Sequence, residues 1–124
     1  MTTVVDASVV LAWLQDEDGA DEAEPMLMEG VIGAANWSEV LQKARQYGAP
    51  AGIVGRLLVS FGLTLVDVTA ADAEIAAEFW HSGTALSLGD RLCLALGVRM
   101  DAVVATADAA WEDVHDGPRV TLIP

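Results

Sequence analysis

Short runs of β-branched and apolar residues alternate with helical stretches along this 124-residue chain. The apolar runs cover residues 2–5, 31–34, 64–68, 103–105 and 120–123. The helical stretches cover residues 8–14, 20–28, 37–47, 51–61, 71–81 and 88–99. Runs of this kind are typical of strands buried on both faces of a sheet. The alternation therefore predicts an α/β fold with a mainly parallel sheet.

Length and composition indicate one folded unit. A chain of 124 residues with 53% hydrophobic content can form one continuous core, so we expect a single domain over residues 1–124. The sequence lacks the features of a signal peptide, and no apolar run approaches the roughly 18 residues of a membrane span. We therefore expect a cytoplasmic protein without a membrane partner. The single cysteine, Cys93, lies among leucines and is predicted to be a small buried residue.

The charge of the chain restricts how it can contact nucleic acid. Six Lys and Arg face 19 Asp and Glu, which gives a formal net charge of −13. This is the wrong sign for binding nucleic acid by charge alone, so any RNA contact must be local, bridged by metal or helped by a partner. The acidic surface serves either solubility or the docking of a basic partner segment.

Two acids follow strands of the predicted sheet. Asp6 comes directly after the first apolar run, and Asp108 follows the run that ends at Ala105. Parallel α/β sheets bind ligands in the crevice at the carboxyl ends of their strands, so these acids should converge on one edge. Each is equally suited to be an ordinary helix N-cap, with Ser8 and Thr106 sharing that duty.

A third acid, Asp90, opens the predicted 88–99 helix. That helix is apolar nearly all round and should be buried, so an acid within it needs a partner. The spacing from Ser87 to Asp90 also fits a capping box at the start of a helix, which is the simpler interpretation of Asp90 taken alone.

Glu39 is the fourth acid. It lies opposite the apolar stripe of its helix, and the spacing from Asn36 to Glu39 is again typical of a cap. An ordinary acid near the start of a helix, paired with Lys43 four residues on, is the simpler interpretation of Glu39 taken alone. A cluster of all four acids, by contrast, would repel itself unless a hard cation such as Mg²⁺ or Mn²⁺ lay among them.

Four sequence blocks around these acids resemble the motifs of PIN-domain nucleases, and most closely those of the VapC toxins of toxin–antitoxin pairs. The blocks are Val-Val-Asp-Ala-Ser at 4–8, Asn-Trp-Ser-Glu-Val at 36–40, Leu-Ser-Leu-Gly-Asp-Arg-Leu-Cys-Leu-Ala at 86–95 and Val-Ala-Thr-Ala-Asp-Ala-Ala-Trp at 104–111. They span essentially the whole chain in the family's order. One departure is Ala110, where many relatives carry a further acid, which bears on whether one or two ions bind.

The resemblance implies a three-layer α/β/α fold and a catalytic, metal-binding site. In that site Asp6, Glu39, Asp90 and Asp108 hold Mg²⁺, for which Mn²⁺ can substitute. Ser8 and Thr106 are implied as supporting or water-positioning hydroxyls. The implied function is that of an endoribonuclease toxin that hydrolyses RNA phosphodiesters with activated water. The implied partners are the RNA substrate, a second copy of the chain, and an antitoxin with a basic or amphipathic segment.

Basic and aromatic residues supply the remaining candidates. Arg91, Lys43 and Arg45 are candidates for contacting RNA phosphates, against the alternative of surface solubility or local ion pairs. His81 and His115 fall outside every motif and are predicted to be structural or exposed. The tryptophans at 13, 37, 80 and 111 lie in or beside apolar helical patterns, which predicts core or interface packing. Met26 and Met28 are candidates to line a groove for a partner helix.

Two other functions remain open at the level of the sequence. In one, the chain is a non-catalytic PIN-like domain whose acids are helix caps and whose acidic surface docks a basic protein. In the other, the metal chemistry is the same but the substrate is DNA or a small phosphate ester.

Overall fold

The structure is a computed structural model that describes residues 2–114 and 116–124, so the expectation for His115 lies outside the described residues. The strands are β1 Thr3–Val5, β2 Val31–Gly33, β3 Thr64–Val66, β4 Val103–Thr106 and β5 Val120–Leu122. The α-helices are α1 Ala7–Leu14, α2 Ala20–Met28, α3 Ala34–Gln46, α4 Ala51–Phe61, α5 Ala70–Glu78 and α6 Leu88–Met100. A short 3-10 helix at Ala109–Asp113 follows β4.

The five strands form one sheet in the order β3-β2-β1-β4-β5, and every pair of neighbours is parallel. The predicted α/β class and parallel sheet are confirmed. From β1 the chain builds the sheet outward in one direction through β2 and β3 and in the other through β4 and β5. The crevice at the carboxyl ends of β1 and β4 is therefore the topological switch point, where parallel sheets place their ligand sites.

Alternate residues of the central strands contact different helical layers. Val5 and Ala105 belong to a core shared with α1, α2 and α4, whereas Val4 and Val104 pack with α6 on the opposite face. This alternation follows from the two-residue period of a strand. Gly97 brings α6 onto the sheet, because a Cβ at that position would lie 2.4 Å from Cγ2 of Val104. The three-layer α/β/α arrangement is thereby confirmed.

The expectation that all strands are buried on both faces is wrong for the two edge strands. Residues of β3 and β5 are mostly exposed or half-buried, whereas β2 is buried throughout. Edge strands have a neighbour on one side only, and here the helical layers do not extend fully over them.

The expectation of an apolar, fully buried α6 is also wrong at its ends. Leu88 is 60% exposed and Val98 is 41% exposed, while the buried residues are those from Cys93 to Gly97. Leu88 is the first residue of the helix, and Val98 faces away from the sheet, since Gly97 before it and Met100 after it pack against the core. The predicted burial of Cys93 is confirmed.

Helix α3 begins three residues earlier than predicted. The strand β2 runs directly into it, with Gly33 at the N-cap position, so Asn36 lies inside the first turn. A cap at Asn36 is therefore wrong.

The tryptophans divide between the core and the surface. Trp111 is fully buried, and Trp13 packs on Phe61 with ring centroids 4.8 Å apart. Trp37 is half-buried against the core, as core packing predicts. Trp80, by contrast, is 60% exposed and does not belong to the core.

Met26 and Met28 do not line one exposed groove. Met28 is exposed, but Met26 packs against the core and Leu27 between them is fully buried. Over the part of the chain that the structure describes, no helix has the length and apolar character needed to cross a membrane.

Candidate metal centre

Asp6 is fixed at the carboxyl end of the central strand. Its backbone N–H donates to the carbonyl of Ala105 at 2.9 Å, which extends the pairing of β1 with β4 by one residue. It occupies the N-cap position of α1, yet its side chain makes no capping hydrogen bond. The interpretation of Asp6 as an ordinary side-chain cap is therefore wrong, and its carboxylate points elsewhere.

Two hydroxyls hold the Asp6 carboxylate. Its Oδ2 accepts from Ser8 Oγ at 2.7 Å and from Thr106 Oγ1 at 3.0 Å. The same hydroxyl oxygens accept from the backbone N–H of Ala107 and of Asp108, which ties the end of β4 to the start of α1. Because a hydroxyl has a single hydrogen and both are used on Asp6, this arrangement makes Ser8 and Thr106 supports of the carboxylate.

The environment of Asp6 opposes its ionisation. The residue is only 6% exposed, and its burial raises its pKa from an ordinary 3.8 to about 6, although the hydrogen bonds from Ser8 and Thr106 lower it. The negative charges of Asp90 and Glu39 raise the pKa further. Three carboxylates from β1, α3 and α6 therefore lie within electrostatic reach of one another.

Glu39 reaches the start of α6 with the help of a buried amide. Asn36, which is 1% exposed, donates from Nδ2 to Glu39 Oε1 at 2.8 Å and to the carbonyl of Gly89 at 3.2 Å. The carboxylate of Glu39 occupies the space that a side chain at Gly89 would fill, since a Cβ there would lie 2.9 Å from Oε1. Among the described residues Glu39 makes no ion pair with Lys43, so that alternative is not supported.

Asp90 forms the capping box that its spacing predicts. Its Oδ2 accepts from the backbone N–H of Ser87 at 3.0 Å, and its own N–H donates to Ser87 Oγ at 3.1 Å. Asp90 is half-buried and directly follows Gly89, the residue whose missing side chain leaves room for the Glu39 carboxylate. The capping role and the proximity to Asp6 are compatible, because one carboxylate oxygen is sufficient for the cap.

Asp108 is the outermost of the four acids. It is exposed, and its Oδ1 accepts from the N–H of Ala110 at 3.0 Å, so it caps the 3-10 helix. Its charge is not among those that raise the pKa of Asp6. The structure brings Asp6, Glu39 and Asp90 together and leaves Asp108 at the edge of the same crevice.

The thiol of Cys93 lies beneath these acids. Burial raises its pKa well above the ordinary value, and the charges of Asp6, Asp90 and Glu39 raise it further. Both effects favour the neutral thiol over the thiolate.

The chemistry of the donors fits a hard divalent cation. Among the described residues, no three acidic, histidine or cysteine side chains are gathered closely enough to hold an ion as they stand. All the donors are nevertheless carboxylate oxygens, which Mg²⁺ and Mn²⁺ prefer. Oδ1 of Asp6 accepts no hydrogen bond from any described residue, and the charges of Glu39 and Asp90 act on this carboxyl group.

The three basic candidates for contacting RNA have different surroundings. Arg91 is half-buried and donates from Nη1 to the carbonyl of Ala76 at 3.3 Å, so it joins α6 to α5. Lys43 and Arg45 are exposed on α3, and Arg45 lines an apolar groove between α3 and α4. Packing between helices accounts for Arg91 without any contact to RNA.

Sequence reasoning did not identify Asn36 and Gly89 as parts of the site. The spacing of an Asn three residues before a Glu is common at helix starts and favours a cap at Asn36 instead. The signal that could have identified Asn36 is its position, as a polar residue, on the buried side of an amphipathic helix. For Gly89 there was none, since the contact depends on a helix far away in sequence.

The fold and the site define a parallel α/β protein with an acidic crevice at the switch point of its sheet. Within that class, the chain belongs to the PIN domain family, whose sequence pattern matches residues 3–117. This confirms the resemblance that the motifs indicate. No curated protein is similar enough in sequence to count as a relative.

Solved structures of low sequence identity share the fold. A chain of the DNA-bound VapBC complex from Salmonella typhimurium has a TM-score of 0.76 at 18% identity, with 98% of this chain and 97% of that one covered. A chain of VapBC2 from Rickettsia felis, bound to a promoter DNA fragment, has a TM-score of 0.74 at 14% identity, with both chains covered completely. VapC20 from Mycobacterium tuberculosis, a toxin that cleaves the sarcin–ricin loop, has a TM-score of 0.72 at 15% identity, with 89% and 92% covered.

Proposed function

We propose that this chain is a Mg²⁺-dependent endoribonuclease and the toxin of a toxin–antitoxin pair. The observation that carries the proposal is the convergence of Glu39 and Asp90 on the buried carboxylate of Asp6, at the switch point of the sheet. The charges of Glu39 and Asp90 oppose the ionisation of Asp6, and a divalent cation removes that cost. The VapC-like fold supports the same function.

In this proposal Asp6, Glu39 and Asp90 hold the metal, and Asp108 joins them from the edge of the crevice. When bound, Mg²⁺ supplies a Lewis acid that activates water and stabilises negative charge developing on the phosphodiester. Ala110 stands where relatives carry another acid, which favours a single ion before RNA binds.

The protein's own contribution is the placement of these carboxylates. Ser8 and Thr106 fix one oxygen of Asp6 and leave the other without a hydrogen bond from the described residues. Asn36 fixes Glu39, and the backbone of Ser87 fixes Asp90. Supporting hydrogen bonds of this kind orient metal ligands, and their loss typically lowers metal affinity or activity 10–100-fold.

The direct test is cleavage of total cellular RNA by the purified chain with Mg²⁺ or Mn²⁺, against an EDTA control. Single-stranded DNA and a small phosphate ester serve as alternative substrates under the same conditions. Asp90→Asn is the matched variant, because the amide oxygen keeps the cap on α6 while the charge is removed. RNA cleavage that needs metal and fails in the variant supports the proposal, and cleavage that persists in the variant contradicts the site.

A non-catalytic binding domain is the second candidate, and one observation favours it. Asp90 and Asp108 both cap helices in the structure, so two of the four acids have a structural role without any metal. Asp6 and Glu39 have no such role. An Asp6→Asn variant that keeps full toxicity in cells would favour the binding domain.

The antitoxin partner is part of the proposal. The groove between α3 and α4, of about 650 Å³, is lined mainly by apolar residues including Trp37, Leu41 and Val59. Such a surface suits the apolar face of an amphipathic segment. Co-expression of the chain with a small protein encoded beside it tests this: rescue of growth that is lost on Trp37→Glu supports the groove as the contact. We propose a homodimer as the assembled toxin, which sedimentation of the isolated chain tests.

A further inference from the structure

A second pocket lies away from the three clustered carboxylates. It has a volume of about 610 Å³ and is formed by the end of α5, the loop that leads to α6, and the segment after the 3-10 helix. Phe79, Leu86 and Val114 line it and also pack against the core beneath α6. The pocket therefore has a fixed apolar floor.

One close contact holds the walls of this pocket together. A Cβ at Gly117 would lie 2.9 Å from Cε1 of Phe79, so the backbone of the 116–118 segment rests directly on the aromatic ring. Trp80, the residue after Phe79, lines the same pocket and remains 60% exposed. A large exposed indole beside an apolar floor is typical of a binding surface.

The rim of the pocket is acidic. Glu78, Asp113 and Asp116 line it, and none of its described lining residues is a Lys or an Arg. His81 is the one basic side chain among them. The combination of an exposed aromatic face with several carboxylates favours a cation that has a flat apolar surface, which is the character of a guanidinium group.

We propose that this pocket binds an arginine of a partner protein, with the guanidinium against Trp80 and the carboxylates of Asp113 and Asp116 beside it. This inference does not depend on the proposed nuclease activity. It gives a definite place on the surface for the basic partner segment that a net charge of −13 favours.

The charge of the pocket argues against the other occupants. RNA would bring phosphates to a rim of three carboxylates without a compensating Lys or Arg. A second copy of this chain carries 19 acids and only six Lys and Arg, so most of its surface is repelled by the acidic rim of the pocket. An arginine in a basic segment of another protein complements both the apolar floor and the acidic rim of the pocket.

The test uses a synthetic peptide of four arginines, titrated into the intact chain while the indole N–H signal of Trp80 is followed by NMR. A peptide of four citrullines, which has the same shape without the charge, is the matched ligand. We expect saturable binding of the arginine peptide, weaker binding of the citrulline peptide, and loss of binding at about 1 M salt, where charges are screened beyond roughly 3 Å.

Variants locate the binding. Trp80→Ala lacks the indole signal, so its binding is measured by calorimetry beside that of the unchanged chain. The affinity should fall about two- to fivefold, as expected for loss of an exposed cation–π contact. The Asp113→Asn/Asp116→Asn pair should weaken it by a similar factor, and both changes lie at exposed positions that leave the core intact. The matched control is Asp21→Asn/Glu22→Gln, two exposed acids on α2, which should bind as the unchanged chain does.

Three results would overturn the proposal. One is equal weakening in the pocket and control variants, which means diffuse attraction to the acidic surface. Another is a Trp80 signal that shifts with protein concentration alone, which indicates a second copy in the pocket. The third is displacement of the peptide from Trp80 by a single-stranded RNA oligonucleotide that binds there itself.

Discussion

The amide nitrogen of Asn36 lies 2.8 Å from Oε1 of Glu39 and also contacts the carbonyl of Gly89, so one buried side chain joins α3 to the start of α6. An Asn at this place sets the distance between two acids that are 51 residues apart in the sequence, Glu39 and Asp90. The arrangement of the metal centre thus depends on a residue that carries no charge.

Replacing Asn36 with Ala tests its role in orienting Glu39. The change leaves the Gly89 carbonyl and the Glu39 carboxylate without their donor, which should cost about 1–3 kcal/mol of unfolding free energy. Activity should fall about 10–100-fold because Glu39 is no longer oriented. Ser38→Ala, an exposed neighbour in the same turn, is the control, and an equal fall in both variants would contradict the role of Asn36.

Gly89→Ala tests the space occupied by the Glu39 carboxylate. The added Cβ would lie 2.9 Å from Oε1 and 3.1 Å from Cδ of Glu39, so the flexible Glu39 side chain has to leave its present position. Metal affinity, measured by calorimetry, should fall while the fold remains intact. Leu88→Ala, at the exposed neighbouring position, should bind metal as the unchanged chain does. Equal affinity in all three proteins would show that Glu39 is not a ligand.

Asp6→Asn should lower the cleavage activity without lowering the free energy of unfolding at neutral pH. The pKa of Asp6 in the folded chain is about 6, above its ordinary 3.8, so its contribution to stability is complete below about pH 4 and is lost as the pH rises through 6. At pH 7.5 in EDTA the variant should therefore be as stable as the original or more so, by on the order of 1–3 kcal/mol. Urea unfolding at pH 4 and 7.5 measures this, with cleavage assayed in parallel.

One result with the metal-free Asp6→Asn variant would contradict this prediction. A variant that unfolds more easily than the original at pH 7.5, with cleavage unaffected, would mean that the Asp6 carboxylate is a structural group and not a metal ligand.

Asp72 on α5 forms an ion pair with Arg99 on α6 and thereby joins the two helices. Burial raises the pKa of Asp72, but the hydrogen bonds from Arg99 and from Thr69 outweigh it and lower the pKa below its ordinary value. Its stabilising contribution is therefore present above about pH 4 and is lost as the pH falls through the lowered pKa. Asp72→Ala should cost about 1–3 kcal/mol at pH 7 through the lost pair and cap.

Unfolding curves of Asp72→Ala and of Glu74→Ala, an exposed acid on the same helix, measure this at pH 7 and pH 3. The deficit of Asp72→Ala should shrink at pH 3, and Glu74→Ala should differ little from the original at either pH. A deficit that grows on acidification would contradict the assigned pairing.

The sequence predicted most of the fold because the signals were local. Residues 20–28 and 51–61 match α2 and α4 at both ends, since a Gly or Pro stands beside each helix. The start of α3 was misplaced because β2 continues into the helix through Gly33, without a polar cap to mark the boundary. The exposure of β3 and β5 depends on strand order, which a linear sequence does not contain.

Part of the site could also be predicted, because some of its signals are local in the sequence. The positions of Asp6 and Asp108 after strands follow from the parallel sheet, and the Asp90 capping box follows from its spacing. The hydrogen bonds from Thr106 to Asp6 and from Asn36 to Gly89 join residues 100 and 53 positions apart. Contacts of that separation depend on side-chain packing in three dimensions, which periodicity and spacing do not encode.

Binding of Mn²⁺, followed by the electron paramagnetic resonance signal of the free ion, shows whether Asp6, Glu39 and Asp90 form a metal centre. We expect a saturable site in the unchanged chain, strongly weakened in Asp6→Asn and in Glu39→Gln but retained in Glu24→Gln, which removes the same charge from an exposed position on α2. If all four proteins bind Mn²⁺ equally, or none binds it, then Asp6, Glu39 and Asp90 do not form a metal centre.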